Sequence, residues 1–192
     1  NDLVDEVKEE LSYYNKLFDI YKEYDGLVNL ATVNANAGKG AVKVDREMID
    51  FLSYCKEMYY LTGGSVNIAA GSVLSIWHKY REDAGKTATT DDNKLPEMSE
   101  LEAAKNHTNI DNLIIDEENL TVELLDSEMS LDVGAIGKGY ATERVAEELR
   151  EDGYDRVVLD IGGNLKIFAI CNKVLVINMR ATCFKSRNLL LT

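Results

Sequence analysis

A turn between Asp132 and Tyr140 carries the residue types in this sequence that are best suited to binding an anion. The turn reads D-V-G-A-I-G-K-G-Y, and three of its residues are glycines. Glycines let a ligand approach the backbone closely, and the free N–H groups at a helix start can face an anion. Asp132 offers carboxylate oxygens, and Lys138 offers a compact positive charge. The turn is therefore predicted to bind phosphate, and a glycine-rich packing turn with a solvated lysine is the alternative interpretation.

The spacing of the glycines excludes two common nucleotide-binding motifs. A P-loop has four residues between its glycines and a Ser or Thr after its lysine, whereas Gly139 and Tyr140 follow Lys138 here. The G-x-G-x-x-G pattern of dinucleotide-binding domains is not matched either. Residue types and spacing alone therefore leave both interpretations of the turn open.

Hydrophobic periodicity predicts the elements around this turn. A short apolar run ending at Asp132 predicts a strand, and the residues after the turn recur at helical spacing until Gly153. The β-branched run Val157–Ile161 predicts a second strand, and residues 166–170 predict a third. The turn is therefore expected to join a strand to an amphipathic helix.

The chain before the turn is predicted to be mostly helical. The predicted helices span residues 2–24, 46–60, 71–81 and 97–105, and a β-hairpin pairs residues 112–115 with 120–125. Residues 29–43 and 82–95 are predicted to be loops, and residues 65–68 a short extended run. We expect one domain of the α/β class in its broad sense, a central mixed or antiparallel sheet with helices packed on it. Trp77 is predicted to lie in the core.

The composition of the chain argues against some classes of binding partner. The formal net charge is −13 and no basic patch offsets it, which argues against a nucleic-acid or anionic-membrane partner. The three cysteines have no metal-ligand spacing, and Cys55 lies in a helical apolar pattern. No apolar run of about 18 residues is present. Either the protein is cytosolic or an export segment precedes the chain as given.

The pattern L-D-V-G-A-I-G-K-G-Y-A, followed by V-L-D-I-G-G-N, resembles the flavin transferase family. These are FAD:protein FMN transferases of the ApbE type, formerly called thiamine biosynthesis lipoproteins, and the resemblance spans about residues 17–169. It implies an ApbE-like fold and a Mg²⁺-dependent reaction that moves FMN from FAD onto a Thr or Ser hydroxyl of a client protein, with release of AMP. Family members are usually exported and often lipid-anchored, so the parent protein is expected to be extracytoplasmic and membrane-anchored.

The resemblance also implies roles for particular residues. An aromatic residue after the first helix contacts the flavin, for which Tyr21 is preferred over Tyr24. The segment G-G-S-V-N-I matches the block that lines the adenosine side, where an asparagine replaces the usual acid. The implied cofactor-binding residues are Tyr21, Ser65, Val66, Asn67, Asp132 and Lys138. Ala135 matches a position where an oxygen reaches the magnesium ion, and alanine can supply only its carbonyl.

The chain departs from the family pattern near Cys171. Residues 171–192 contain no Asp or Glu, and the family's later H-I-I-D-P-x-T-G and metal-ligand blocks are not found. The catalytic residues are therefore unknown. We expect a flavin transferase domain over residues 1–170, an aberrant or irregular tail over 171–192, and a chain truncated relative to the family. A non-catalytic flavin-nucleotide-binding or scaffold domain, an FAD pyrophosphatase and a fragment without ligand remain alternatives.

Three further expectations concern the surface. Loss of the last third of the family domain would expose a sheet edge or apolar face, which a homodimer could cover. His78 is interpreted as a surface or satisfied histidine rather than a base. His107 is assigned no role, because the sequence shows no carboxylate pattern around it.

Overall fold

A computed structural model of the chain describes residues 2–84, 95–168 and 175–179. It divides into two compact units. The central unit is Ile20–Asp132, and the terminal unit comprises the described parts of Asn1–Asp19 and Val133–Thr192. The predicted boundary between residues 170 and 171 lies outside the described residues, as do residues 85–94 of the predicted loop 82–95 and the end of the predicted third strand.

The described elements are α-helices, short strands and two 3₁₀ turns. The α-helices are α1 (Asp2–Leu17), α2 (Leu30–Ala35), α3 (Arg46–Leu61), α4 (Gly71–Ala84), α5 (Met98–Lys105) and α6 (Gly137–Glu151). The strands are β1 (Val42–Lys43), β2 (Leu113–Asp116), β3 (Thr121–Leu124), β4 (Val157–Ile161), β5 (Asn164–Phe168) and β6 (Leu175–Met179). Two 3₁₀ turns span Ile68–Ala70 and Ile110–Asn112. The broad α/β class is therefore confirmed.

The central unit is built on an antiparallel sheet of order β1-β3-β2. The predicted hairpin is confirmed, because β2 pairs with β3 so that Leu113 lies opposite Leu124 and Ile115 opposite Val122. Helix α3 contacts β2 and buries an apolar face at helical spacing. The buried residues of α3 are Met48, Ile49, Phe51, Leu52 and Cys55. Helix α2 contacts β3 and buries Leu30, Ala31 and Val33, so the core of this unit lies between the small sheet and these two helices.

The terminal unit joins α6 to a mixed sheet of order β5-β4-β6. Strand β4 pairs antiparallel with β5 and parallel with β6, and it buries alternate residues, Val157, Leu159 and Ile161. Helix α6 contacts α1, β4 and β5. The helix predicted after the turn and the strand Val157–Ile161 are both confirmed. The described residues form two three-stranded sheets rather than the single central sheet that was expected.

The first predicted helix is too long. Helix α1 ends at Leu17 instead of residue 24, although apolar residues continue at helical spacing. Phe18 is still buried, but Tyr21 is 70% exposed, so the periodicity does not mark one buried face as far as residue 24. The buried side chain of Asn29 explains the conformation that follows, because its Nδ2 donates to the Lys22 carbonyl. The chain here therefore folds back as a loop.

The predicted loop over residues 29–43 is also partly wrong, since it contains α2 and β1. Asn29 is the N-cap of α2, and its side-chain oxygen accepts from the Thr32 N–H. Residues 65–68 form no strand, because the chain turns into the 3₁₀ helix Ile68–Ala70 instead. Trp77 is 43% exposed on α4, so its assignment to the core is wrong. Helical spacing correctly predicted a helix here, but the side of α4 that carries Trp77 is not buried among the described residues.

No helix within the described ranges is both long enough and apolar enough to cross a membrane.

Gly71, the first residue of α4, provides a test of close backbone packing. Its φ of −58° suits any residue, but a Cβ here would lie 2.4 Å from the Ser130 carbonyl oxygen. We expect Gly71→Ala to lower the free energy of unfolding by about 1–3 kcal/mol, because backbone must shift to relieve the overlap. Urea denaturation followed by far-ultraviolet circular dichroism measures the change.

Gly139→Ala is the matched control. The nearest atom to a Cβ at Gly139 in α6 is Asn164 Oδ1, at an ordinary contact distance of 3.7 Å. This variant should be neutral or stabilising by up to about 1 kcal/mol, because alanine favours the helix. Equal stability changes in the two variants would contradict the close contact at Gly71.

Candidate functional site

The segment that leads to Asp132 (residues 130–132) is extended and hydrogen-bonded on two sides. The Gly71 N–H donates to the Ser130 carbonyl at 3.0 Å, and the Asp132 N–H donates to the Ile68 carbonyl at 2.8 Å. These two bonds attach the segment to the start of α4. They satisfy backbone groups that a strand would direct to a neighbouring strand.

The side chain of Asn34 in α2 supplies the other two bonds of this segment. Its Nδ2 donates to the Leu131 carbonyl at 3.0 Å, and its Oδ1 accepts from the Leu131 N–H at 2.8 Å. A carboxamide carries the same donor and acceptor as a peptide group, so Asn34 replaces a paired strand. The strand predicted before Asp132 is therefore wrong, although the segment has a strand's extended conformation and hydrogen bonding.

Asp132, His78 and Tyr21 form a continuous line of side chains within the central unit. The Tyr21 hydroxyl lies 2.7 Å from His78 Nδ1. His78 Nε2 lies 4.0 Å from Asp132 Oδ2. The Asp132 side chain is 10% exposed and that of His78 26%, whereas Tyr21 is 70% exposed. The structure thus brings together two predicted site residues that are far apart in the sequence, through a histidine that the sequence did not assign to the site.

The electrostatics of this line favour one arrangement of protons. At 4.0 Å the contact between His78 and Asp132 is too long for a hydrogen bond, but the carboxylate still attracts a proton on the nitrogen that faces it. A proton on Nε2 leaves Nδ1 of a neutral imidazole as an acceptor. The Tyr21 hydroxyl then donates to Nδ1. His78 is therefore satisfied, as expected, by a partner that sequence spacing could not reveal.

Tyr24, the other candidate for the aromatic contact, has a different environment. It forms an isolated backbone bridge with Leu27, and the Lys22 ammonium lies 4.9 Å from the centre of its ring. Its ring is half-buried, whereas that of Tyr21 is exposed. The geometry favours Tyr21 as the ring that is open to a ligand.

Ser65, Val66 and Asn67 lie on the turn that leads into Ile68, the residue whose carbonyl accepts from Asp132. Asn67 is the N-cap of the following 3₁₀ helix: its Oδ1 accepts from the Ala69 N–H, and its Nδ2 donates to the Thr108 carbonyl. Ser65 is exposed and Val66 is half-buried. The asparagine thus has a structural function in capping, and the ligand contacts of these three residues remain predictions.

The glycine-rich turn after Asp132 belongs to the terminal unit. The Ile136 and Gly137 N–H groups both donate to the Val133 carbonyl, at 3.0 and 2.8 Å, and α6 begins at Gly137. Lys138 lies in the first turn of α6 and Ala135 is exposed in the turn before it. The structure therefore has a short extended segment, a tight turn and then a helix. The roles predicted for Lys138 and Ala135 remain predictions.

The residues described do not make a metal centre. Across residues 2–84, 95–168 and 175–179, no three or more His, Cys, Asp or Glu side chains are grouped so that they could hold a metal ion. Ala135 has only its carbonyl oxygen to offer, and magnesium needs six oxygen ligands, some of which can be water or phosphate. These residues therefore do not fit a magnesium site built by the protein alone.

Cys55 is excluded as a nucleophile. It is fully buried in α3, and burial raises the pKa of its thiol to about 12. A thiol with such a pKa is protonated at neutral pH and unreactive. The prediction that Cys55 belongs to the core is confirmed.

His107 forms a separate cluster, which the sequence did not predict. Its Nδ1 lies 2.8 Å from Asp126 Oδ2, and its Nε2 lies 3.3 Å from Glu128 Oε2. The hydrogen bond with Asp126 raises the pKa of His107. The hydrogen bond from the Glu128 N–H is the main cause that lowers the pKa of Asp126, and the hydrogen bond with His107 lowers it further. The expectation of no nearby carboxylate is wrong, because the loop after β3 returns beside His107.

The profile of the ApbE family matches residues 2–174, which is most of the chain. The chain belongs to the ApbE family. The motif around Asp132 and the segment around Asn67 both lie inside the matched region. The resemblance inferred from those motifs is thereby confirmed.

Curated relatives of this ApbE-family chain are similar over most of its residues. An FAD:protein FMN transferase of Klebsiella pneumoniae is 27% identical over 158 residues, which are 79% of this chain and 47% of that protein. One of Treponema pallidum is 30% identical over 142 residues, which are 73% of this chain and 37% of that protein. The chain therefore spans less than half the length of these relatives.

Solved structures of ApbE proteins share the fold. The flavin transferase ApbE of Vibrio cholerae matches with a TM-score of 0.72 at 20% identity, covering 88% of this chain and 51% of that one. The ApbE protein of Thermotoga maritima matches with a TM-score of 0.65 at 22% identity, covering 80% and 46% of the two chains. The predicted ApbE-like fold is confirmed.

The His107 cluster predicts a pH-dependent contribution to stability. Because the pKa of His107 is raised in the folded protein, its contribution is complete below the unfolded value of about 6.5. It is lost as the pH rises through the folded pKa. The difference in melting temperature between the wild type and His107→Asn should therefore be larger at pH 5.5 than at pH 9, which calorimetry at the two pH values measures.

The same experiment at high salt is the control. The pair is partly exposed, so about 1 M salt should screen the charge and reduce the difference at pH 5.5. A difference that grows as the pH rises would show that charged His107 does not stabilise this loop.

Proposed function

We propose that this chain binds FAD at Tyr21 and Asp132 and takes part in transferring FMN from FAD to a Thr or Ser hydroxyl of a client protein, with release of AMP. The observation that carries the proposal is the line from Tyr21 through His78 to Asp132. Within the central unit, it connects Tyr21, which the resemblance places against the flavin, with Asp132, the motif acid implied to hold FAD. Curated relatives are named FAD:protein FMN transferases.

The chemistry of these side chains suits a flavin. The exposed Tyr21 ring offers a planar apolar face on which an aromatic ring system can stack. The Asp132 carboxylate accepts hydrogen bonds from N–H or hydroxyl donors, and its low exposure strengthens such bonds. Ser65, Val66 and Asn67 on the adenosine side, and Lys138 in the terminal unit, keep their predicted roles as parts of this proposal.

The proposed transfer is a substitution at phosphorus. The hydroxyl oxygen of the client bonds to the phosphorus on the FMN side of the pyrophosphate, and the bond from that phosphorus to the bridging oxygen breaks. AMP leaves with the bonding electron pair, and the hydroxyl proton is released. This chain's residues contribute binding and orientation of the nucleotide, which place the reacting atoms in line.

Magnesium is part of the activity implied by the family, and it would neutralise charge on the pyrophosphate. Ala135 is the predicted ligand, through its carbonyl oxygen. Because the described residues do not form a metal centre by themselves, the proposal assigns them no step that depends on the metal.

FAD binding without transfer is the second candidate function. It is favoured by the lack of a metal-holding group of His, Cys, Asp or Glu in the described ranges. Incubation with FAD, Mg²⁺ and a client domain separates the candidates. A flavin mass adduct on the client supports transfer, AMP release without an adduct supports FAD pyrophosphatase activity, and FAD binding with neither product supports a binding domain.

The proposal also includes a homodimer of this chain and a location for the parent protein. Leu165 and Ile167 are exposed on the same face of β5, so apolar sheet surface is available to a second copy of the chain. The homodimer, like the extracytoplasmic and lipid-anchored location of the parent protein, stays a prediction.

Substitution of Asp132 tests the proposed site. Removing a carboxylate that accepts a hydrogen bond costs about 1.5–3 kcal/mol, so Asp132→Ala should weaken FAD binding roughly 10- to 150-fold. Asp132→Asn keeps the shape and one acceptor, and a smaller loss is expected. Quenching of FAD fluorescence during titration with protein measures both affinities.

Asp50→Ala is the matched control, because it removes one carboxylate from the exposed surface of α3. It should leave FAD affinity within about twofold of the wild type, since surface charges act weakly at a distance. A wild-type protein that does not quench FAD, or equal losses in the Asp132 and Asp50 variants, would refute the site.

A further inference from the structure

We propose that His78 is a positioning residue that fixes the ring of Tyr21 for stacking on the flavin. This inference rests on the proposed function and extends it to a residue outside the recognised motifs. The geometry that supports it is the 2.7 Å contact between the Tyr21 hydroxyl and His78 Nδ1, with Asp132 on the other side of the imidazole.

Tyr21 needs such a partner because its own surroundings leave the ring exposed. It follows the end of α1 in a segment without regular structure, and 70% of its surface is open. An exposed side chain samples several rotamers, and fixing it when a ligand binds costs conformational entropy. A hydrogen bond at the far end of the ring restricts both side-chain torsions before the ligand arrives. The exposed ring is then anchored at its hydroxyl end.

The anchor is itself held in place. His78 lies within α4, and the first residue of this helix donates its N–H to the Ser130 carbonyl. Asp132, two residues further along that segment, donates its own N–H to the Ile68 carbonyl just before α4. The backbone that carries His78 and the backbone that carries Asp132 are therefore joined by two hydrogen bonds. These hydrogen bonds hold His78 and the Asp132 carboxylate that faces it in one framework.

Histidine suits this position because its two nitrogens lie on opposite sides of one rigid ring. One nitrogen accepts from the Tyr21 hydroxyl while the other faces the Asp132 carboxylate. The tilted arrangement of the two rings, with centres 6.2 Å apart, places them edge to edge through the hydroxyl rather than in a stack. His78 therefore does not stack on the Tyr21 ring, which is 70% exposed.

Two conservative variants separate the functions of the two nitrogens. The shorter amide of asparagine reaches the position of Nδ1, whereas the longer amide of glutamine reaches that of Nε2. His78→Asn should therefore keep the contact with Tyr21 and retain FAD affinity within about threefold of the wild type. His78→Gln and His78→Ala should each weaken binding about five- to tenfold, the loss expected for one hydrogen bond that orders a side chain.

A double-mutant cycle tests whether His78 acts through Tyr21. Tyr21→Phe keeps the stacking face and removes the hydroxyl, so it should weaken FAD binding about as much as His78→Ala. The variant with both substitutions should bind FAD no more weakly than either single variant. Asp50→Ala again serves as the control, and thermal unfolding of each variant shows that it is folded.

The outcomes are distinct. Non-additive losses, with affinity retained in His78→Asn but not in His78→Gln, support the inference. If the wild type binds FAD but His78→Ala binds within twofold of it, or the losses add in the double variant, the inference is overturned and the proposed function stands. If His78→Ala fails to fold, equal affinities of the Asn and Gln variants overturn it. A wild type that does not bind FAD refutes the proposed function and the inference together.

Discussion

The hydrogen bonding of residues 130–132 is the constraint on which the candidate site depends. This segment has no strand partner, yet its backbone groups are paired with the start of α4 on one side and with the Asn34 side chain on the other. A buried peptide group without a partner would cost about 1–3 kcal/mol, so these bonds hold the segment in one conformation. Gly71 is required at the closest point, because a Cβ would overlap the Ser130 carbonyl. The carboxylate of Asp132 is thereby held in a defined place.

The same framework holds residues of the proposed nucleotide site in an acidic chain. With a formal net charge of −13, long-range attraction is unfavourable, so recognition has to come from short-range contacts. An exposed tyrosine ring provides such a contact without charge, and a largely buried carboxylate provides a directed acceptor. The site proposed in the central unit therefore relies on short-range contacts of Tyr21 and Asp132 rather than on net charge.

The two histidines of the chain show that nearby carboxylates have different consequences in different surroundings. His107 lies at hydrogen-bond distance from Asp126 and is also close to Glu128, which together stabilise its charged form and join the loop after α5 to the loop after β3. His78 has a hydroxyl on one side and a more distant carboxylate on the other, so its ring lies between the two. The first arrangement contributes to the fold, and the second connects two side chains of the proposed site.

The sequence by itself determined the family, the broad fold class and several elements. The motif around Asp132, the helix α6, the strand β4 and the hairpin of β2 and β3 follow from glycine placement and from periods of 3.6 and 2. Local patterns of this kind depend on residues close together in the chain. Asn29 is a strong helix-start residue, yet the polar run that it begins predicted a loop instead of α2.

Only the tertiary structure decided which distant residues meet. The extension of the first helix and the placement of Trp77 in the core were wrong, because periodicity does not show whether another element covers a face. Asn34 was read as part of a loop, and no local signal shows that its amide replaces a strand beside Leu131. His78 meets Tyr21 for the same reason: hydrogen bonds between residues far apart in the chain are formed by folding, and they leave no spacing pattern in the sequence.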